Sequence, residues 1–297
     1  MLFALIKRNV KLFFKDKGTF FTAMISPLIL LLLFVTFLGN VYRDSLTAAI
    51  PIGFAVSKSV QEGFVGGWLF SSLLATSCVT VAFCSNMVMV EDRSRGTRND
   101  LTITPVKSSI LALGYYLATA LTTLIVCFVA LGIGFVYLAV VGWYLSVAEV
   151  LLVCLDVFLL VVFGTALSSV VVFFLSTQGQ IGAVGSIVSS CYGFVCGAYM
   201  PISQFSDGIQ TLIACLPGTY GTGLLRRHFM GGALRAMADE GLPQEVIDGM
   251  MDAFDNRIYF FDHAVETPIM YTVLGITIAV LIVAYILLNR FLRKRAK

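Results

Sequence analysis

The residues best suited to chemistry form a charged segment at positions 91–100, Glu-Asp-Arg-Ser-Arg-Gly-Thr-Arg-Asn-Asp, which separates two long apolar runs. Carboxylates and guanidinium groups at this density make ion pairs that hold a soluble partner and can also separate from it. A simple turn between two membrane helices does not need such a long polar segment with a proline stop at Pro105. We therefore predict a contact site for a soluble partner here.

Motifs for enzymatic chemistry are lacking elsewhere in the sequence. His228 and His263 lie far apart without ligand spacing around them, so we expect no metal site. The chain has no G-x-x-x-x-G-K-[ST] phosphate-binding loop and no G-x-S-x-G nucleophile motif. The net charge of +3 is not accompanied by basic patches interleaved with aromatic residues, which argues against nucleic-acid binding. We expect a non-enzymatic chain that binds no cofactor of its own.

Composition places the charged segment in a membrane protein. The chain has 297 residues, of which 58% are hydrophobic and 12% charged, whereas soluble domains are about one quarter charged. Runs of about twenty apolar residues can cross the hydrocarbon core as helices, because lipid leaves backbone groups no other partners. We predict an all-α integral membrane protein with six transmembrane helices: Phe20 to Leu38, Gly67 to Val90, Ile110 to Val141, Val150 to Leu175, Ile181 to Tyr199 and Ile269 to Leu288.

The distribution of charge predicts the orientation. Six spans place fourteen of the twenty basic residues on one side of the membrane and twelve of the seventeen acidic residues on the other. Basic residues collect on the cytoplasmic side of membrane proteins. We therefore expect both termini and the charged segment to be cytoplasmic in a multi-pass protein of the plasma membrane, which would be the inner membrane of a bacterium.

The predicted spans divide the chain into four parts. Residues 1–18 alternate apolar and basic positions at helical spacing, which predicts an amphipathic interfacial helix; a signal peptide is disfavoured because no small-residue cleavage site follows. Residues 19–199 hold the first five spans and the loop 91–109. Residues 200–267 form an outer region of short apolar pieces and an amphipathic helix, which predicts re-entrant helices and a helical cap. Residues 268–297 hold the sixth span and a basic tail.

Polar residues within the spans are candidates for a substrate pathway. Ser72, Thr76 and Thr80 form a hydroxyl stripe that should face protein or a wet cavity, and helix packing and pathway lining both remain open. Asp156 lies well inside a span, where a carboxylate indicates either a functional group or a polar clamp between helices. Small residues at four-residue spacing in the fifth span favour close packing, within the subunit or between subunits. Three residues of that span complete the candidate pathway: Ser189, Tyr192 and Phe194.

The charged segment resembles the first cytoplasmic loop of ABC-2-type permeases, the membrane subunits of ABC exporters. That loop typically has an acidic-basic run, Gly-Thr, a leucine, Thr-Pro-Val and a returning helix. The N-terminal helix and the stretch 193–227 are similar to the corresponding parts of the family. The matching residues in the loop are Glu91, Arg93, Gly96, Thr97, Leu101, Thr104, Pro105, Val106 and Leu111.

The resemblance implies a dimer of permease subunits, each bound to an ATP-binding cassette subunit on a separate chain that carries ATP and magnesium. It implies export of a hydrophobic or amphiphilic substrate, such as a drug, peptide, lipid or lipid-linked glycan. In the family this loop forms the coupling helix. The residues it assigns to coupling are Glu91, Asp92, Arg93, Ser94, Arg95, Gly96, Thr97 and Asp100.

The chain departs from the family pattern at Tyr115, where a lysine is usual, and in its long outer segment 231–266. Two other classes of function remain as alternatives. An ion-coupled carrier would need several intramembrane ionisable residues and repeated halves. A non-transporting membrane scaffold or a sensor that signals through its outer region fits the topology but gives the Gly-Thr and Pro-Val pattern no role. The arginines of the loop could also serve only to anchor topology.

Overall fold

The computed structural model describes residues 2–97, 108–261 and 263–291. The described chain is helical apart from its turns, loops and one short antiparallel hairpin, which confirms the all-α class. The helices pack around α4 (Lys58–Ser94), which is buried along almost its whole length and contacts helices that precede it and helices that follow it in the chain. The charged segment begins in the last turn of this central helix.

The N-terminal part is an amphipathic helix followed by a long membrane helix. The first helix packs mainly against the helix Ser108–Val141 and buries Phe13 on its apolar side. Asp16 ends the amphipathic helix and caps the next one by accepting hydrogen bonds from the backbone N–H groups of Gly18 and Thr19. The elements are α1 (Leu2–Lys15), α2 (Lys17–Leu33), a π-helical turn (Phe34–Leu38) and α3 (Gly39–Ala49).

Three further helices follow the central one. The starts of the second and third are fixed by capping boxes, in which Ser146 pairs with Glu149 and Thr177 pairs with Gln180. The helices are α5 (Ser108–Val141), α6 (Val147–Phe173) and α7 (Gln178–Val195).

Within the described residues, five helical segments are long and apolar enough to cross a membrane. Helix α7, which covers most of the predicted fifth span, is not among them, because its glutamines and many small residues reduce its hydropathy. The count of six spans and the orientation of the termini stay predictions. The five segments are Pro27–Ala49, Lys58–Ser94, Ser109–Val141, Val147–Phe173 and Thr267–Arg290.

The predicted outer region contains an internal helix of the bundle. We expected short apolar pieces broken by Pro and Gly in residues 201–230, and the structure has two helices here, Asp207–Ala214 and a 23-residue helix, α9, that starts at Pro217. The second is longer than expected because it continues past His228 to Asp239, and it packs on α4, α6 and the last helix. Its glycines are contact positions: a Cβ on Gly232 would collide with the backbone oxygen of Tyr144. The elements are α8 (Asp207–Ala214), α9 (Pro217–Asp239), α10 (Gln244–Ala253), β1 (Tyr259–Phe260), β2 (His263–Ala264) and α11 (Thr267–Phe291).

Candidate functional site

Asp92 joins three helices at the charged end of α4. Its side chain is buried and accepts two hydrogen bonds from the guanidinium of Arg8 on α1, at 2.6 and 2.7 Å. The hydroxyl of Tyr115 on α5 donates a third, at 2.6 Å. Hydrogen bonding by Asp92 raises the pKa of Arg8 above its ordinary value, so this cation stays charged. Tyr115, the position at which the chain departs from the family pattern, therefore supplies the third hydrogen bond to Asp92.

Arg93 is also directed into the protein. Its guanidinium donates to the backbone oxygens of Phe173 at 3.0 Å and Leu175 at 2.6 Å, at the C-terminal end of α6. It also lies 5.8 Å from the centroid of the Phe173 ring. A cation in this place satisfies carbonyl groups that have no partner within the helix. Asp92 and Arg93 thus fix the end of α4 to its neighbours.

The rest of the described charged segment lies nearer the surface. Ser94 and Arg95 are exposed, and Glu91 and Thr97 are partly exposed. Gly96 ends the helix with a φ of 79°, a backbone conformation that favours glycine. Residues 98–107, including the predicted contact residue Asp100, lie outside the described part of the chain.

A charged groove lies between α1 and the end of α4. Its volume is about 350 Å³, and its lining includes Lys15, Asp16, Glu91 and Arg95. The side-chain hydroxyl of Thr19 donates to Asp16 at 2.8 Å and lowers the pKa of this carboxyl, so the groove carries both signs of charge at neutral pH. Such a surface suits a partner that presents alternating charges.

The hydroxyl stripe of α4 is buried inside the bundle. Ser72, Thr76 and Thr80 are 2% exposed or less. The hydroxyls of Thr76 and Thr80 donate to backbone oxygens one turn earlier in their own helix. Their burial favours helix packing in this conformation, and lining of a substrate pathway stays a prediction.

Asp156 lies at the centre of a buried polar cluster. It is fully buried on α6, 2.6 Å from Nδ1 of His228 on α9 and 2.6 Å from the hydroxyl of Tyr271 on α11. The His228 and Tyr271 rings are stacked with their centroids 6.5 Å apart. This cluster joins three helices that are distant in sequence. Sequence reasoning found Asp156 but did not identify its two partners.

A second buried cluster surrounds Arg226, which sequence reasoning treated only as a family match. The guanidinium donates to Asp255 at 2.7 Å and to the backbone oxygen of Gly197, and lies 5.1 Å from the Trp68 ring. It also donates to Ser72 of the hydroxyl stripe at 3.3 Å. Burial raises the pKa of Asp255, and the positive charge of Arg226 opposes that change. The cluster holds α9 and the loop that contains Asp255 against α4.

Two of the three predicted pathway residues of α7 lie on different faces of the helix. Phe194 is 48% exposed, whereas Tyr192 points inward, where its hydroxyl contacts Gly218 of α9. The side chain of Ser189 lies outside the described part of the structure. Among the described residues, no group of three or more His, Cys, Asp or Glu could hold a metal ion.

A family model described as "ABC-2 type transporter" matches residues 1–230. The match covers α1 to most of α9 and includes the charged end of α4 and both buried clusters except for Asp255 and Tyr271. No curated protein matches the chain.

Proposed function

The chain belongs to the ABC-2 type transporter family, and from that premise we propose that it is the membrane subunit of an ATP-driven exporter. It is a transmembrane component of an ABC transporter and a multi-pass membrane protein. In the proposed function it moves a hydrophobic or amphiphilic substrate out of the cytoplasm or the inner leaflet. The energy enters through the charged end of α4.

The observation that carries this proposal is the position of that charged end. Helix α4 contacts α2, α5, α6, α7 and α9, so a displacement of its end reaches most of the bundle. Asp92 and Arg93 fasten the end to α1, α5 and α6, while Ser94 and Arg95 face outward. Ser94 and Arg95 can therefore bind a partner, while Asp92 and Arg93 transmit the movement of that partner to the neighbouring helices.

The partner in this proposal is an ATP-binding cassette subunit. The sequence contains no phosphate-binding loop, so ATP and magnesium would be bound on that separate chain. A second permease subunit would complete the transporter. Both termini and the charged end of α4 would face the cytoplasm, as the distribution of basic residues favours.

Purification of the tagged chain from its native membrane under mild conditions tests the proposal. We expect an ATP-binding subunit to accompany it, and the complex to hydrolyse ATP faster when amphiphilic substrates are added. Charge reversal by Arg95→Glu should reduce this association, whereas Lys58→Glu at the opposite end of α4 should not. Isolation of a stable chain without any ATP-binding partner would favour the scaffold or sensor instead.

A further inference from the structure

A groove of about 470 Å³ lies between the first turns of α5 and the last turns of α11. We call it the α5–α11 groove. Its walls are mostly apolar and include Leu113, Ile282 and Ile286, and its end is polar, with Asn289 and Arg290. It lies at the same end of the bundle as Asp92, because Tyr285 and Asn289 also line a crevice that contains Arg93.

The apolar walls face outward from the bundle. Leu113 is 45% exposed and Ile286 is 57% exposed, and both lie in segments that qualify as membrane spans. In a membrane this surface meets hydrocarbon chains, so an occupant of the groove must have an apolar part. Because the groove is a concave slot between two helices, it can hold one chain in a fixed position.

The polar end of the groove favours an occupant with a negative charge. Arg290 is exposed in the last turn of α11. No acidic residue follows Glu266 in the sequence, and the seven residues after Arg290 add four basic ones: Arg293, Lys294, Arg295 and Lys297. Basic residues directly after a membrane helix attract anionic lipid headgroups, each contributing about 1 kcal/mol.

We propose that the α5–α11 groove binds an anionic phospholipid, with an acyl chain against Leu113 and Ile286 and the phosphate at Arg290. The bound lipid lies beside the crevice that reaches Arg93, and it contacts α5, one of the helices that fix the end of α4. The inference uses the membrane position of α5 and α11 and does not depend on transport or on an ATP-binding partner.

Native mass spectrometry of the full chain tests this inference. The protein is equilibrated with mixed micelles that contain equal amounts of phosphatidylglycerol and phosphatidylcholine with the same acyl chains, and retained lipids are counted. We expect phosphatidylglycerol to be retained about fivefold better than phosphatidylcholine. Arg290→Gln should reduce this preference, because the variant lacks the cation in the groove itself. Leu113→Trp, which fills the groove, should reduce retention of both lipids.

Matched controls exclude general effects of charge and size. Lys58→Gln removes an exposed basic residue at the other end of the bundle, and Val129→Trp enlarges an exposed residue elsewhere on α5; both should behave like the wild type. Equal retention of the two lipids by the wild type would overturn the proposal. An unchanged preference in Arg290→Gln would do so too, as would displacement of the lipid by glycerol phosphate, which would indicate a site for a soluble anion.

Discussion

Two adjacent carboxylates at the end of α4 occupy different environments. Asp92 is 6% exposed and accepts hydrogen bonds from Arg8 and Tyr115, whereas Glu91 is partly exposed beside the charged groove. The sequence assigned both to the partner contact. The difference in burial gives Asp92 a structural role and leaves Glu91 accessible for the proposed partner contact.

Asp92→Asn should therefore destabilise the protein, and Glu91→Gln should not. The asparagine leaves Arg8 without its anionic partner in a partly buried place, at a cost of about 1 to 3 kcal/mol. Thermal unfolding of the purified variants measures the difference, with the Tm of Asp92→Asn well below that of Glu91→Gln. Equal Tm values for the two variants would contradict the internal role of Asp92.

The geometry at Asp156 favours a clamp between helices, since both carboxylate oxygens already have partners. Asp156→Ala should leave His228 and Tyr271 without an acceptor and cost about 1 to 3 kcal/mol for each unsatisfied group. Asp156→Asn should cost less, because its amide can bond to both a hydroxyl and a neutral imidazole.

Tm and transport measured on the same two variants distinguish the clamp from a pathway carboxylate. We expect transport per folded molecule to survive in Asp156→Asn and the Tm to fall most in Asp156→Ala. An Asp156→Asn protein that keeps the wild-type Tm and loses transport would show that the carboxylate acts on the substrate.

At the scale of the element, α9 can pack closely in the bundle because it has a glycine where a neighbouring backbone comes nearest. Its surface meets the loop before α6 so closely that the backbone of Tyr144 occupies the space of a Cβ at Gly232. Arg226 and His228 on this helix then reach Asp255 and Asp156. Close approach at small residues thus accompanies the polar contacts that fix the helix.

Gly232→Ala should weaken the docking of α9 by about 1 to 3 kcal/mol, because backbone atoms cannot move aside as a flexible side chain can. Gly249→Ala is the matched control on α10, where a Cβ meets no atom within 4 Å. It should be neutral or slightly stabilising, since alanine favours helix more than glycine. Comparison of the two Tm values checks the prediction, and a Gly232→Ala protein as stable as Gly249→Ala would refute it.

At the scale of the whole molecule, the sequence predicts those structural features that a segment determines by its own composition, without contacts to distant residues. The membrane class and the all-α fold follow from long apolar runs, whose backbone groups must be satisfied within helices. The position of the charged segment between two membrane helices is predicted because the segment interrupts the apolar runs. These features need no knowledge of contacts between distant residues.

The features that sequence did not predict depend on such contacts. Asp156 lies 72 residues from His228 and 115 from Tyr271, and no local pattern joins them. Glycines weaken a helix that is exposed to water but permit close packing in α9, so the sequence did not show that this helix continues past His228 to Asp239. The inward direction of Asp92 and Arg93 likewise depends on α1, α5 and α6.

The central claim is that an ATP-binding subunit contacts the charged end of α4, and site-specific photo-crosslinking tests it most directly. A photoreactive amino acid placed at Arg95 in the intact membrane should form a covalent product with a chain that contains a phosphate-binding loop. The same amino acid at Lys58, at the other end of α4, should give no such product. Absence of the product at position 95, or equal yields at both positions, would contradict the account.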